Sequence, residues 1–195
     1  MRQEIIKELK NLEHERDFKV LYAIESGSRA WGFASKNSDW DVRFIYVHPK
    51  NWYLDIDKNK DNYNKILEND IDLSGWDLQK TLRLLKKSNP PLLEWLNSSI
   101  VYVENDAFLK SMKELAEHYF NPRSCMHHYL SIAKNTQRNY FKTEEIILKK
   151  YFYALRPILA AEYIMKYQKI APIEFSKLID ASDIPNDVLS EIQLL

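Results

Sequence analysis

The sequence has 195 residues, of which 45% are hydrophobic and 29% charged, and these values predict a folded chain with one domain or two small lobes and exclude a disordered chain. Lysine plus arginine and aspartate plus glutamate both number 28, so the net charge is zero and no overall attraction to nucleic acid or acidic membranes is expected. The single cysteine, Cys125, excludes an internal disulfide, and no apolar stretch is long enough for a signal or membrane segment, so we expect a soluble, cytoplasmic protein.

The chain begins with a predicted helix and a predicted buried strand. Residues 1–16 predict an amphipathic helix with a charged opposite face. Its apolar positions have helical spacing: Ile5, Ile6, Leu9 and Leu12. Residues 18–25 are apolar, β-branched and aromatic, which predicts a strand that leads to Gly27 and Ser28.

A Gly-Ser turn follows this strand. Gly27 has no Cβ, so the backbone can turn sharply there and approach a ligand closely. Ser28 adds a hydroxyl beside backbone N–H groups, which suits the oxygens of a phosphate. Gly27 can also be an ordinary turn residue. Residues 31–38 are predicted to form a short helix or a loop.

The second predicted strand, residues 39–47, carries charge on one face. A side-chain period of two places Asp39, Asp41 and Arg43 together, with apolar and aromatic residues on the other face. Two aspartates about 6–7 Å apart repel each other unless a positive group lies between them. A divalent cation, Mg²⁺ by default, is a common reason for such a pair. The alternative is a pair at a loop edge that Arg43 holds in a salt bridge.

A third strand and a helix follow a polar stretch after Pro49. Residues 70–76 predict the strand, with polar and apolar side chains in alternation. Its polar face carries Asp70, Asp72 and Ser74. Asp77 is the predicted N-cap of a helix over residues 78–87, and Lys80, one turn into that helix, is expected to reach a phosphate at the site.

After residue 100 the pattern is helical. A period of 3.6 predicts helices over residues 106–120, 124–140 and 143–169, and Pro157 is expected to kink the last one. One face of that helix interleaves cations with aromatic rings: Lys149, Lys150, Tyr153, Arg156 and Tyr163. Such a face can bind a base and its phosphates, or it can be the solvated side of the helix.

Four blocks of the sequence resemble a known family. They are SGSRAWGF, SDWDVRFIYV, DLSGWDLQK and KSNPPLLEWL. A Gly-Ser pair followed after ten residues by Asp-x-Asp resembles the signature of the DNA polymerase β-type nucleotidyltransferases. All four blocks together resemble the predicted nucleotidyltransferases of the YcgL type, also described as RNA-ligase-associated polymerase-β-like nucleotidyltransferases. They span much of residues 26–97, and the helical remainder resembles the family more loosely.

The resemblance implies a fold and a metal site. The implied fold is of the α/β (α+β) class, with a mixed sheet and flanking helices in a catalytic domain over residues 1–103 and a C-terminal helical lobe over residues 104–195. The implied cofactor is a pair of Mg²⁺ ions, with Mn²⁺ as an alternative. Asp39 and Asp41 would bind them with a third carboxylate from a neighbouring strand. Asp72 is the first choice, because it aligns with the block that continues into SGWDL, and Asp70 is the second.

The resemblance also implies a reaction. A nucleoside monophosphate would pass from a nucleoside triphosphate to a hydroxyl acceptor. Gly27 and Ser28 would bind the triphosphate, while Arg43 and Lys80 would stabilise its charge. RNA-ligase-associated relatives suggest an RNA end as the acceptor.

Two other functions remain open. One is a non-catalytic nucleotide- or RNA-binding module of the same fold. The other is a minimal nucleotidyltransferase that modifies a protein. Zero net charge fits a protein or small-molecule acceptor slightly better than a long nucleic acid.

Overall fold

The computed structural model describes residues 1–57, 59–142 and 148–194. Its five strands form one mixed sheet, in the order β3-β4-β2-β1-β5. The strands are β1 (Lys19–Glu25), β2 (Trp40–Val47), β3 (Asn62–Ile66), β4 (Ile71–Asp77) and β5 (Val101–Val103). Strands β2 and β4 are parallel, and the other neighbours are antiparallel. With its flanking helices, this sheet confirms the predicted α/β class.

The described residues also form nine α-helices. They are α1 (Arg2–Arg16), α2 (Gly27–Trp31), α3 (Leu78–Lys86), α4 (Pro90–Leu96), α5 (Asp106–Tyr119), α6 (Pro122–Tyr140), α7 (Leu148–Tyr167), α8 (Phe175–Ala181) and α9 (Asn186–Leu194). A short 3₁₀ helix covers Lys50–Leu54. The predicted start of the last long helix, at residue 143, lies outside the described residues. None of the described helices is both long and apolar enough to cross a membrane.

Helix boundaries follow local capping chemistry. Asp77 caps α3, as predicted, because its carboxylate accepts a hydrogen bond from the Gln79 N–H at 2.8 Å. Asn89 caps α4 through the Leu92 N–H at 3.2 Å, and Pro90 follows at the first helical position, where no N–H is needed. Asn89 and Pro90 therefore together define the start of α4.

The two faces of the sheet pack differently. On one face, α1 and the even-numbered residues of β2, such as Phe44, belong to one buried cluster. On the other face, Ile45 and side chains of β1 pack with residues from α3 to α9 in a second cluster. Because side chains alternate along a strand, Asp41 and Arg43 share the face of Ile45. The predicted charged face of β2 therefore lies on the side of the later helices. The predicted boundary between residues 103 and 104 remains a prediction, since this second cluster spans it.

Candidate active site

The Gly-Ser turn lies against the second aspartate. Gly27 has a positive φ of 60°, and a Cβ placed on it would lie 2.1 Å from Asp41 Oδ2. The Ser26 N–H donates to the Asp41 carbonyl at 2.8 Å. A side chain at position 27 would thus displace the Asp41 carboxylate. The Asp41 carboxylate is therefore the neighbour that makes glycine necessary at position 27.

Ser28 is a buried residue of this turn. It lies in the first turn of the short helix α2 and is only 1% exposed. Its carbonyl accepts hydrogen bonds from the N–H groups of Gly32 and Phe33. The contact of the buried Ser28 with a phosphate remains a prediction.

The carboxylates of two neighbouring strands meet at one guanidinium. Asp41 of β2 lies directly beside Asp72 of β4 in the parallel register. Arg43 Nη2 lies 2.8 Å from Asp41 Oδ1 and 2.9 Å from Asp72 Oδ2, and its Nη1 donates to the Asp72 carbonyl at 2.9 Å. We call Asp41, Asp72 and Arg43 the carboxylate site. The structure thus brings the first-choice third carboxylate together with Asp41.

The charge balance of this site is visible in the pKa of Asp41. Burial raises the pKa of Asp41 above its ordinary value, and the neighbouring charge of Arg43 opposes that rise. The charges of Asp72 and Asp39 add to the rise. Arg43 therefore favours the ionised form of this carboxyl, against the effects of burial and of the neighbouring carboxylates.

Among the described residues, the carboxylates of Asp39 and Asp70 make no hydrogen bond or ion pair with this site. Asp39 precedes β2 and is exposed, and its carbonyl accepts a hydrogen bond from Arg29 Nε at 3.1 Å. Asp70 has a positive φ of 59° and lies before β4, where its carbonyl accepts from the Trp40 N–H at 2.8 Å. Because of that turn, Asp70 does not continue the alternation of β4. Within the described residues, no three His, Cys, Asp or Glu side chains are grouped to hold a metal ion.

Lys80 is engaged elsewhere. Its Nζ lies 3.5 Å from Asp61 Oδ1 and 5.9 Å from the centroid of the Trp76 ring. Helix α3 follows the far end of β4, and Trp76 lies four residues along the strand from Asp72, a length of about 13 Å. The expectation that Lys80 lies close to the site overlooked this length of strand.

Glu25 is a residue of this site that the sequence reasoning passed over. It ends β1 with a fully buried side chain. The Tyr102 hydroxyl donates to its Oε2 at 2.6 Å, and the Asp41 N–H donates to its Oε1 at 3.0 Å. Burial raises the pKa of Glu25 to about 6. The sequence feature that could have identified Glu25 is a carboxylate at the end of an apolar run, shortly before the Gly-Ser turn.

Comparison with known proteins assigns the family. A family model described as an RNA repair pathway DNA polymerase beta family, RlaP, matches residues 1–195. The chain belongs to the RlaP family. It is 45% identical over 195 residues to the protein YcgL of Bacillus subtilis (strain 168), and covers 75% of that protein. These matches confirm the resemblance carried by the four sequence blocks.

A solved structure also shows similarity to the RlaP chain. It is the crystal structure of a nucleotidyltransferase-like protein from Exiguobacterium sibiricum 255-15, with a TM-score of 0.38 and 13% sequence identity. The match covers 95% of the RlaP chain and 65% of that protein. The chain thus spans slightly less than two thirds of the length of that protein.

Helix α7 of the RlaP chain faces the carboxylate site. Burial raises the pKa of Tyr153, and the charges of Asp41 and Asp39 raise it further. Lys149 in turn opposes the rise in the pKa of Asp41, and its Nζ lies 5.9 Å from the Tyr153 ring centroid. The first half of α7 therefore contributes a ring and a cation near the two aspartates.

Arg156 of α7 is buried in a polar network that local sequence patterns did not reveal. Its Nη1 donates to Glu94 Oε1 at 2.8 Å, and the same oxygen accepts from the Tyr129 hydroxyl at 2.8 Å. Trp31 Nε1 donates to Glu94 Oε2 at 3.2 Å. Arg156 is only 3% exposed, so the interpretation of this face as a solvated one is wrong for Arg156.

Proposed function

We propose that this chain transfers a nucleoside monophosphate from a nucleoside triphosphate to a hydroxyl acceptor, with two Mg²⁺ ions as cofactors and Mn²⁺ as an alternative. The observation that carries this proposal is the carboxylate site. Asp41 and Asp72 lie side by side on parallel strands, and Asp41 touches the turn at Gly27. Membership of a polymerase β family supports the same reaction.

The donor set of this site suits a hard divalent cation. Asp41 and Asp72 offer carboxylate oxygens, which Mg²⁺ prefers. Arg43 now lies between them, so its guanidinium would have to move when a metal binds. Asp39 is exposed, and its carboxylate has no hydrogen-bond partner among the described residues. A rotation of the Asp39 side chain could therefore make this carboxylate a third ligand of the metal.

Each residue of the site would then have its own role in the reaction. Asp41, Asp72 and Asp39 would hold the metal ions, and Gly27 would keep the turn close to Asp41. Bound metal ions would neutralise phosphate charge and lower the pKa of the acceptor hydroxyl. Arg43, once released from the carboxylates, could donate two parallel hydrogen bonds to a phosphate. Positioning and charge stabilisation account for most of such a reaction.

The acceptor is proposed to be an RNA end. The family description, which names an RNA repair pathway, supports this choice. A protein acceptor would use the same chemistry at the same site. A non-catalytic binding module is the second candidate function, because the described residues do not assemble a three-carboxylate metal cluster.

Labelled substrates test this proposal. The protein is incubated with Mg²⁺, each labelled nucleoside triphosphate in turn, and either cellular RNA or cellular protein. Label in RNA supports an RNA acceptor, and label in protein supports the alternative acceptor. Asp41→Asn should abolish transfer, whereas Asp106→Asn, the same change in the exposed first turn of α5, should not. Nucleotide binding without any transfer would favour the binding module.

A further inference from the structure

A cleft of about 320 Å³ opens next to the carboxylate site. It lies between the sheet and helices α4, α6 and α7, and Arg43 and Ser74 line its sheet side. Five aromatic side chains line its walls: Trp31, Trp76, Trp95, Tyr129 and Tyr153. We call this space the aromatic cleft. Because Arg43 also binds Asp41 and Asp72, the aromatic cleft continues directly from the carboxylate site.

The aromatic cleft suits a flat ligand. Trp76 and Trp95 are stacked, with ring centroids 3.8 Å apart and an angle of 25° between the planes. Trp31 and Tyr153 meet edge to face at 5.4 Å. The volume lies at the lower end of the range of about 300–1,000 Å³ that is usual for small-molecule sites. Aromatic walls next to a phosphate site are typical of nucleobase binding, since every base has a π face.

Arg156 gives this cleft a polar group with unused hydrogen-bonding capacity. It lines the cleft, and its guanidinium carbon lies 4.4 Å from the Trp31 ring centroid. Its Nε donates to the Ile173 carbonyl and its Nη1 to Glu94. The buried Nη2 has no hydrogen-bond partner among the described residues. A buried donor without an acceptor is unfavourable, so a ligand that offers an acceptor would gain from binding here.

We propose, on the basis of the nucleotidyl transfer proposed above, that the aromatic cleft binds the base of the nucleoside triphosphate. The base lies against the aromatic walls, Arg156 donates a hydrogen bond to an acceptor atom on its edge, and the triphosphate extends past Arg43 to the carboxylate site. The aromatic cleft and Arg156 then determine which nucleotide is used. The alternative is a purely structural role, in which the Arg156–Glu94 ion pair stabilises the packing of α7 against α4.

Calorimetric titration in the presence of Mg²⁺ measures the contribution of the base. Each of the four nucleoside triphosphates is compared with inorganic tripolyphosphate, which has no base. Stacking of one base should make at least one nucleoside triphosphate bind roughly 5- to 150-fold more tightly than tripolyphosphate. This comparison uses the wild-type protein and needs no variant.

A matched pair of variants locates that contribution. Thr136 lines the aromatic cleft from α6 and does not belong to the carboxylate site, so Thr136→Trp should fill the cleft. This variant should bind every nucleoside triphosphate no better than tripolyphosphate, with the affinity for tripolyphosphate unchanged. Asn135→Trp, on the exposed side of the same helix, should behave like the wild type.

Arg156→Lys tests the polar contact separately. The lysine retains the positive charge beside Glu94 but loses the guanidinium donors, so the order of preference among the four nucleotides should change. A purely structural Arg156 would lower the unfolding temperature and leave that order unchanged, which would overturn its proposed role.

The outcomes separate the two proposals. Binding of tripolyphosphate without an advantage for any base would overturn the base site and leave the proposed reaction standing. Wild-type affinities for the nucleotides in Thr136→Trp would also overturn it. Failure of both tripolyphosphate and nucleotides to bind would reject the proposed function itself, and the base site with it.

Discussion

Replacement of Gly27 by alanine tests the contact on which the carboxylate site depends. Gly27 has a positive φ, and a Cβ at this position would lie 2.1 Å from Asp41 Oδ2 and 2.9 Å from its Cγ. Since real Cβ atoms essentially never approach another atom within 3.0 Å, either the turn or the Asp41 carboxylate must move. The mutation therefore acts on the aspartate through a backbone position that bears no charge.

Two effects of different size are expected from Gly27→Ala. The left-handed backbone conformation costs about 1–2 kcal/mol for a residue with a Cβ, and the free energy of unfolding should fall by at least this amount. The clash requires a displacement of about 1 Å at Asp41, and such a displacement can reduce a reaction rate roughly 100-fold when it disturbs a catalytic geometry. Nucleotidyl transfer per folded molecule should fall by that factor.

Gly32→Ala is the matched control for backbone strain. Gly32 also has a positive φ, of 90°, but no atom lies within 4 Å of a Cβ placed on it. Gly32→Ala should therefore lose stability in the same way and retain its transfer rate. Urea unfolding measures the first quantity in both variants, and the rate of nucleotide transfer per folded molecule measures the second.

Two results would refute this reasoning. Equal transfer rates in Gly27→Ala and the wild type would show that the position of the Asp41 carboxylate against the turn does not matter. An equal loss of activity in both glycine variants would show that backbone strain alone is responsible.

Three further predictions concern the charges around Asp41. Asp72→Asn should abolish transfer in a labelled-nucleotide assay and Asp70→Asn should not, because Asp72 faces Asp41 and Asp70 does not; the reverse result would exchange their roles. Arg43→Gln should lower the unfolding temperature in EDTA, because hydrogen bonds to charged groups worth roughly 1.5–3 kcal/mol each are lost, and Mg²⁺ should restore it; an unchanged temperature would contradict this role. Burial raises the pKa of Glu25 to about 6, so the unfolded chain releases this proton first. The free energy of unfolding should therefore fall by up to about 2 kcal/mol as the pH rises from well below 4.5 to well above 6 in the wild type, relative to Glu25→Gln, as chemical unfolding at several pH values would show.

Elements with a strong period were predictable from the sequence. Strand β2 buries its even-numbered side chains under α1 and turns Asp41 and Arg43 to the other face, as the alternation predicted. Strand β5 was missed because Val101–Val103 is too short to show a period of two. Helix α4 was not predicted, although proline at the first helical position is compatible with the start of a helix.

The candidate site was only partly predictable, because it depends on contacts between residues that are far apart in the sequence. Local spacing indicates which side chains share a strand face, and it correctly placed Asp41 with Arg43. It does not specify the register between β2 and β4, and only that register brings Asp72 beside Asp41. The contacts of Arg156 with Glu94 join residues 62 positions apart, and no local pattern encodes such a distance.

The charges of the carboxylate site would explain how a chain of zero net charge could bind the proposed triphosphate substrate. Asp41 and Asp72 together carry two negative charges, and Arg43 compensates only one of them in the structure. A triphosphate would be repelled by the remaining charge unless divalent cations arrived with it. Cations that take the place of Arg43 would neutralise both aspartates, and the guanidinium, freed in the same step, would lie beside the incoming phosphates. The proposed reaction therefore needs no overall positive charge on the protein, because the metal ions and one mobile arginine supply it where the phosphates bind.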